Sequence, residues 1–185
     1  MQESGHVFVA RGDLVSLACD AIVVPTDVSG QVETPWHTHL EALGGIVLEG
    51  SRVRAVDADP GTPIWVLGPF SPPVQQGPES ASRSRQTWLA ATGVLPSDAS
   101  IGPDDARWVS AIAELERVLQ EFAARFKATQ GGVTAPTRGC PLVGVPLLGS
   151  AAGGFRDHFR RYASALIRLL RDAARAGNFD VALVL

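Results

Sequence analysis

The segment best suited to chemistry is a run of very small residues between an apolar stretch and a helical pattern. The apolar stretch covers 142–148, the helical pattern covers 156–176, and the run between them is Gly149-Ser150-Ala151-Ala152-Gly153-Gly154-Phe155. Small residues let a backbone approach a ligand closely, and the N–H groups of such a loop face the same point as the N-terminus of the following helix. The pattern predicts an anion site for phosphate or pyrophosphate, with a tight connection packed by glycines as the alternative.

This loop differs from two common phosphate-binding motifs. It ends in Gly154-Phe155-Arg156, where a Walker A loop has Gly-Lys-Ser or Gly-Lys-Thr. It also comes late in the chain and lacks the GxGxxG spacing of the dinucleotide fingerprint. The segment is therefore neither a P-loop nor a Rossmann turn.

Cysteines and histidines give little sign of a redox or metal site. Cys19 and Cys140 each lie beside an apolar run, and the sequence has no CxxC motif or Cys/His cluster. Both are predicted to be buried or half-buried thiols. His37 and His39 alternate with Thr38 without an evident third ligand, so we predict no metal site.

The charge balance and hydropathy exclude further classes of function. The net charge is −3 and the isoelectric point is about 5.8, which disfavours a nucleic-acid partner. Residues 1–6 are polar, and no apolar run approaches the ~20 residues that span a bilayer. We expect a cytoplasmic protein with no membrane partner.

Apolar periodicity predicts the elements that position the small-residue loop. Continuous apolar runs at 21–24, 142–148 and 181–185 are typical of strands covered on both faces. Further strands are predicted at 6–10, 52–56 and 64–67, and surface loops at 69–84 and 97–105. The chain length of 185 residues suits one α/β domain.

Two long helices are predicted from residues at helical spacing. The first covers 105–128 and has a buried stripe of Ile112, Leu115, Leu119, Phe122 and Phe126. The second covers 156–176, ends with Gly177 at the C′ position, and has a buried stripe of Phe159, Tyr162, Ala163, Leu166, Leu170 and Ala173. Its other face carries Arg160, Arg161, Arg168, Arg171 and Arg175. We interpret these arginines as a solvated face, with a polyanion partner as the alternative.

Two separated motifs resemble the macro domain family. Gly12-Asp13-Leu14, followed after a short spacer by Asp20-Ala21-Ile22-Val23, is similar to the opening of a macro domain. The segment 146–155 is similar to its phosphate-binding loop, and 66–69 resembles its middle strand. Order and distances agree over nearly the whole chain. The resemblance implies a macro-like three-layer α/β/α domain over 1–185, with a mixed, largely parallel sheet and a cleft for ADP-ribose.

The resemblance also implies roles for individual residues. Asp13, followed by Leu14, would accept a hydrogen bond from the adenine amino group. Backbone amides of 150–155 would wrap the diphosphate and distal ribose, and Phe155 would close over that ribose or pack into the core. Asp27 takes the place of an asparagine that contacts the distal ribose in the family, or else it shapes a turn.

The sequence departs from the family pattern after the second predicted strand. Val24-Pro25-Thr26-Asp27 replaces the usual Asn-Ala-Ala-Asn, and 28–36 replaces a glycine-rich stretch with an aspartate found in hydrolytic members. The usual hydrolysis is therefore not expected, and Asp27 is a weak catalytic candidate, followed by Glu33 and His37. Trp36 is interpreted as a hydrophobic plug, with base stacking as the alternative.

These features predict a module that binds or senses ADP-ribose or a related NAD-derived nucleotide without catalysis, and without a cofactor. The alternatives are an ADP-ribosyl hydrolase with atypical residues and a degenerate scaffold for protein contacts. The sequence is also similar to N-terminal macro-like modules of bacterial Sir2-type proteins, which implies an attached NAD-consuming domain and a defence context. We accordingly expect the chain to be the N-terminal part of a longer protein, with an adenine-stacking aromatic beyond Leu185.

Overall fold

The computed structural model describes residues 5–26, 32, 36–37, 48–49, 52–53, 64–70, 85–91, 105–129, 140–148 and 159–185. Within these ranges lie eight strands, two long helices, a 3-10 helix at Leu14–Ser16 and a helical turn at 36–37. The strands are β1 (Val7–Ala10), β2 (Ala21–Thr26), β3 (Leu48–Glu49), β4 (Arg52–Val53), β5 (Ile64–Phe70), β6 (Arg85–Ala91), β7 (Leu142–Pro146) and β8 (Asp180–Val184). The long helices are α1 (Ala106–Thr129) and α2 (Phe159–Gly177).

Six of these strands form one sheet in the order β1-β8-β7-β2-β6-β5. The four pairings that join β1, β8, β7, β2 and β6 are all parallel, and β5 pairs with β6 in the antiparallel direction. β3 and β4 form a separate antiparallel pair. The predicted macro-like α/β class, with a mixed and largely parallel sheet, is confirmed by this arrangement.

Both long helices pack on the same face of the sheet. Their buried residues form one cluster with alternate residues of the strands, including Val23, Val143 and Leu183. The aromatic centre of the cluster joins β6 to α1, because the ring of Trp88 meets that of Phe122 edge-on at 5.1 Å. Four of the five residues predicted as the stripe of α1 are buried, and Ile112 is partly buried against the cluster.

The opposite face of the sheet is also covered at its central strands. Ile22 and Val24, which alternate with the residues of the helical face in β2, are at most 1% exposed, and Ala182 and Val184 of β8 are 5% and 7% exposed. Strands whose side chains are buried on both sides have continuous apolar sequences, which explains the runs in β2, β7 and β8. Cys19 and Cys140 are buried free thiols, as predicted.

Two details of α2 differ from the prediction. Its first described residue is Phe159, whose side chain is 44% exposed rather than part of the buried stripe. At its end, Asn178 rather than Gly177 adopts the left-handed conformation, with φ of 59°. The N–H of Phe179 donates to the carbonyl of Ala174 at 3.1 Å, which is the Schellman arrangement. Gly177 is required for another reason, since a Cβ there would lie 2.3 Å from Cε1 of Phe179.

Sequence reasoning missed β6 and shortened β5. It assigned no element to 85–91, which the structure places beside β2 with Trp88 fully buried. The predicted loop at 69–84 begins too early, because β5 continues to Phe70 through an irregularity between Leu67 and Pro69. A proline without an N–H is tolerated there because β5 has a partner on only one side in the described sheet. The remaining parts of the predicted loops, 71–84 and 97–104, lie outside the described residues.

Candidate functional site

The carboxyl ends of five parallel strands meet at one edge of the sheet, called here the carboxyl edge. β8 lies between β1 and β7, so the segments that leave β1 and β7 start about two strand spacings, or ~10 Å, apart. The connection after β1 crosses the face opposite the helices, where Leu14 packs on Gly144. The connection after β7 leads instead to α2 on the helical face. Diverging connections of this kind are where open α/β sheets form ligand crevices.

Asp13 lies at this edge, in the turn after β1. Its carboxylate oxygen Oδ2 accepts a hydrogen bond from Ser16 Oγ at 3.1 Å, and its backbone carbonyl accepts one from the N–H of Ser16. These bonds form the start of the 3-10 helix at Leu14–Ser16. The side chain of Asp13 is exposed. Asp13 therefore shapes the turn and also presents a carboxylate to solvent at the carboxyl edge.

Leu14 anchors this turn to the sheet. Its side chain is 4% exposed, and Cδ1 lies 2.6 Å from the position that a Cβ on Gly144 would take. Only a glycine at 144 leaves room for Leu14 at this depth. Because the Leu14 side chain is buried, any contact of this residue with a ligand would involve its backbone.

Gly12 joins the turn to the end of β8. Its N–H donates to the carbonyl of Leu185 at 3.4 Å, and the N–H of Leu185 donates to the carbonyl of Ala10. The φ angle of Gly12 is +152°, which side chains rarely adopt. The glycine thus lets the chain turn at the strand end and carry Asp13 alongside β8.

On the other side of β8, a buried hydrogen bond fixes the end of the β7 segment. The hydroxyl of Tyr162 donates to the carbonyl of Leu148, the last described residue before the small-residue loop. Tyr162 is 1% exposed, and burial raises the pKa of its hydroxyl. This hydrogen bond from helix α2 therefore fixes the position of Leu148 at the carboxyl edge. Periodicity predicted that Tyr162 would be buried but could not identify this partner.

Several predicted site residues lie outside the described residues. They are Asp27 and the loop residues Gly149, Ser150, Ala151, Ala152, Gly153, Gly154 and Phe155. The described chain reaches Thr26, which is 6% exposed, before Asp27, and Leu148 before the loop. Both segments start from strands whose carboxyl ends lie at the same edge as Asp13.

The other candidates for chemistry have local structural partners or are not described. His37 Nε2 lies 2.9 Å from the carbonyl of Val32, a buried residue, and Glu33 lies outside the described residues. Among the residues that the structure describes, no group of three or more His, Cys, Asp or Glu could hold a metal ion. Within the same part of the chain, neither helix combines the length and apolarity needed to cross a membrane.

Comparisons with known proteins give similarity of structure only. No family model and no curated protein matches the sequence. A solved structure described as alphavirus P23pro-zbd aligns with 97% of this chain at 12% identity and a TM-score of 0.52. This chain spans 21% of that structure's length, and at such identity the likeness concerns the fold alone.

Two bacterial macrodomain structures also align with this chain. They are the DarG macrodomains of Thermus aquaticus, at 14% identity and a TM-score of 0.45, and of Mycobacterium tuberculosis, at 15% identity and a TM-score of 0.43. Each alignment covers 97% of both chains. Scores at this level carry no conclusion about function.

Proposed function

We propose that the chain is a non-catalytic module that binds ADP-ribose or a related NAD-derived nucleotide at the carboxyl edge. The observation that carries the proposal is the divergence of the β1 and β7 connections to opposite faces of the sheet on either side of β8. This topology brings the turn of Asp13 and the start of the small-residue loop to neighbouring positions. A carboxylate suits an adenine amino group, and a loop of small residues before a helix suits a diphosphate.

The proposed ligand contacts follow the resemblance to macro domains. Asp13 accepts a hydrogen bond from the adenine amino group, and the backbone of 149–155 donates to the diphosphate. Asp27 is the proposed contact to the distal ribose. The stretch 28–36 lacks the glycines of hydrolytic macro domains, which supports binding without turnover.

Calorimetric titration with ADP-ribose, AMP and NAD tests the proposal. ADP-ribose should bind more tightly than AMP, because AMP lacks the diphosphate and distal ribose. Asp13→Ala should weaken ADP-ribose binding by about 5- to 150-fold, which corresponds to the ~1–3 kcal/mol of a lost hydrogen bond to a charged group. Absence of binding at millimolar ADP-ribose would contradict the proposal.

Ser16→Ala is the matched control for this titration. It removes the hydroxyl that donates to Asp13 but leaves the carboxylate in place. If Asp13 contacts the ligand, Ser16→Ala should change the affinity much less than Asp13→Ala does. Equal losses in the two variants would mean that Asp13 acts only by shaping the turn.

The similarity to modules of Sir2-type proteins supports a regulatory role for this binding. In a longer protein that includes an NAD-consuming domain, ADP-ribose should alter the rate of NAD consumption, and Asp13→Ala should remove that effect. The same rate with and without ADP-ribose would contradict regulation while leaving binding unaffected.

A further inference from the structure

Helix α2 carries five exposed arginines on the side opposite its buried stripe. They are Arg160, Arg161, Arg168, Arg171 and Arg175, called here the arginine row. Successive members, together with exposed Ser164, are separated by one, three or four residues and therefore share one side of the helix. From Arg160 to Arg175 the row extends about 22 Å, at 1.5 Å per residue.

The charge of this helix contrasts with that of the whole chain. α2 contains five arginines and one aspartate, Asp172, so its side chains carry a net charge of +4. Since the net charge of the chain is −3, the remaining residues together carry −7. The negative net charge of the chain, which disfavours a nucleic-acid partner, is thus an average that includes one strongly basic helix face.

Neighbouring helix α1 uses its arginines differently. Its N-terminal Arg107 contacts Asp105 at 2.8 Å, and hydrogen bonds from Arg107 lower the pKa of Asp105 to about 2. Arg117 and Arg125 each contact a glutamate of the same helix at 2.6 Å. In the arginine row, by contrast, Arg160, Arg168, Arg171 and Arg175 have no carboxylate within 4.0 Å among the described residues.

Two contacts orient the ends of the row. Arg161 lies over the ring of Trp108, 4.6 Å from its centroid, and the stem of Arg175 lies against Gly5. The row is thereby held at both of its ends.

We infer that the arginine row is a docking surface for the phosphate backbone of a nucleic-acid duplex. Guanidinium groups bind phosphates in bidentate geometry, and a duplex offers a negative charge about every 1.7 Å along its axis. The exposed residues on this side of α2 are the five arginines and Ser164. It therefore lacks the apolar and aromatic anchors on which protein interfaces depend. Single strands also need aromatic rings for base stacking, and nearby Trp108 is 5% exposed beneath Arg161.

The inference is independent of the proposed nucleotide site and is tested without ADP-ribose. The probes are fluorescently labelled DNA and RNA duplexes of about 20 base pairs, and the measurement is anisotropy across a salt series. Four or five phosphate contacts predict a slope of log K against log salt of about −4. Binding of either duplex with this slope supports the inference, and the comparison of the two identifies the preferred backbone.

Charge variants locate the binding surface. Replacement of both Arg168 and Arg171 by Gln should reduce the magnitude of the slope by about two, since each removed cation abolishes about one phosphate contact. Arg117→Gln on α1 is the control, because Glu114 already neutralises Arg117, and it should change the slope by less than half a unit. Circular dichroism melting checks that the variants remain folded.

Three results would overturn the inference. One is the absence of saturable duplex binding at low salt. Another is identical binding by the wild type and the Arg168/Arg171 variant. The third is displacement of the duplex by polyglutamate at equal charge concentration, which would indicate an acidic protein partner instead.

Discussion

At the scale of single residues, Tyr162 provides a direct test of the structure because it is the sole tyrosine of the chain. Burial raises its pKa, so the unfolded state releases the phenolic proton first as the pH rises through the ordinary value of about 10. Above that pH the unfolded state binds fewer protons than the native state, and the free energy of unfolding falls. Ultraviolet absorbance should therefore detect tyrosinate only together with unfolding.

Tyr162→Phe should remove this alkaline loss of stability and lower the free energy of unfolding at neutral pH by about 1–3 kcal/mol, because the buried carbonyl of Leu148 loses its donor. The control is Ser164→Ala on the same helix, which removes an exposed hydrogen bond to the carbonyl of Arg160 and should cost less than about 0.5 kcal/mol. Reversible titration of Tyr162 near its ordinary pKa in the folded protein would contradict the buried environment.

Residue types indicated part of the candidate site but not its supports. Asp13 and the small-residue loop stand out because their chemistry is visible in the sequence. The bond from Tyr162 to Leu148 joins a helix to a strand end, and the contact of Leu14 with Gly144 joins residues 130 positions apart. Neither contact is indicated by a local sequence pattern, because each depends on how separate elements pack.

At the scale of elements, the contact between the 3-10 helix and β7 predicts a coupled pair of substitutions. Gly144→Ala places a Cβ 2.6 Å from Cδ1 of Leu14 and 3.0 Å from Sγ of Cys19. The expected cost is about 1–3 kcal/mol, typical of overpacking in a core. In a Leu14→Val background, which lacks the obstructing atom, the same change should cost at least ~0.5 kcal/mol less.

Chemical denaturation of the wild type, both single variants and the double variant measures this coupling. Leu14→Val by itself reports the loss of buried volume and serves as the reference for the cycle. Strict additivity of the two substitutions would show that Leu14 does not pack on Gly144.

Elements with a strong hydrophobic periodicity could be predicted from the sequence, whereas a strand that mixes polar and apolar residues could not. The stripes of α1 and α2 predicted both helices, and the predicted ends at 105, 128 and 176 each differ by one residue from those in the structure. β6 begins with Arg85, Gln86 and Thr87, so its sequence lacks the apolar run of a covered strand. The end of α2 was displaced by one residue because Asn178 occupies the left-handed position that glycine usually takes.

At the scale of the whole molecule, the strand order positions the site and could not be derived from the sequence. β1 lies next to β8, which is the last strand in the chain, and their first paired residues are Val7 and Val181. Such pairing is set by tertiary packing rather than by local signals. It brings the Asp13 turn within two strand spacings of Leu148, after which the small-residue loop begins, although the two residues are 135 positions apart in the sequence.

The two proposed binding sites lie in different parts of the molecule. The proposed nucleotide site lies at the carboxyl edge, where Tyr162 near the start of α2 contacts Leu148. Arg168 and Arg171 lie farther along α2, towards Arg175, whose stem contacts Gly5 ahead of β1. Replacement of Arg168 and Arg171 should therefore leave the affinity for ADP-ribose unchanged, and loss of Asp13 should leave duplex binding unchanged.

The most direct test of the central claim is to map backbone amide shifts by NMR during titration with ADP-ribose. The account predicts that the perturbed amides cluster at the carboxyl edge, at Gly12–Leu14, Leu147–Phe155 and Leu185, while Asp20 and Leu142 at the opposite edge remain unchanged. Perturbations centred on that opposite edge, or none at saturating ADP-ribose, would contradict a nucleotide site over β8.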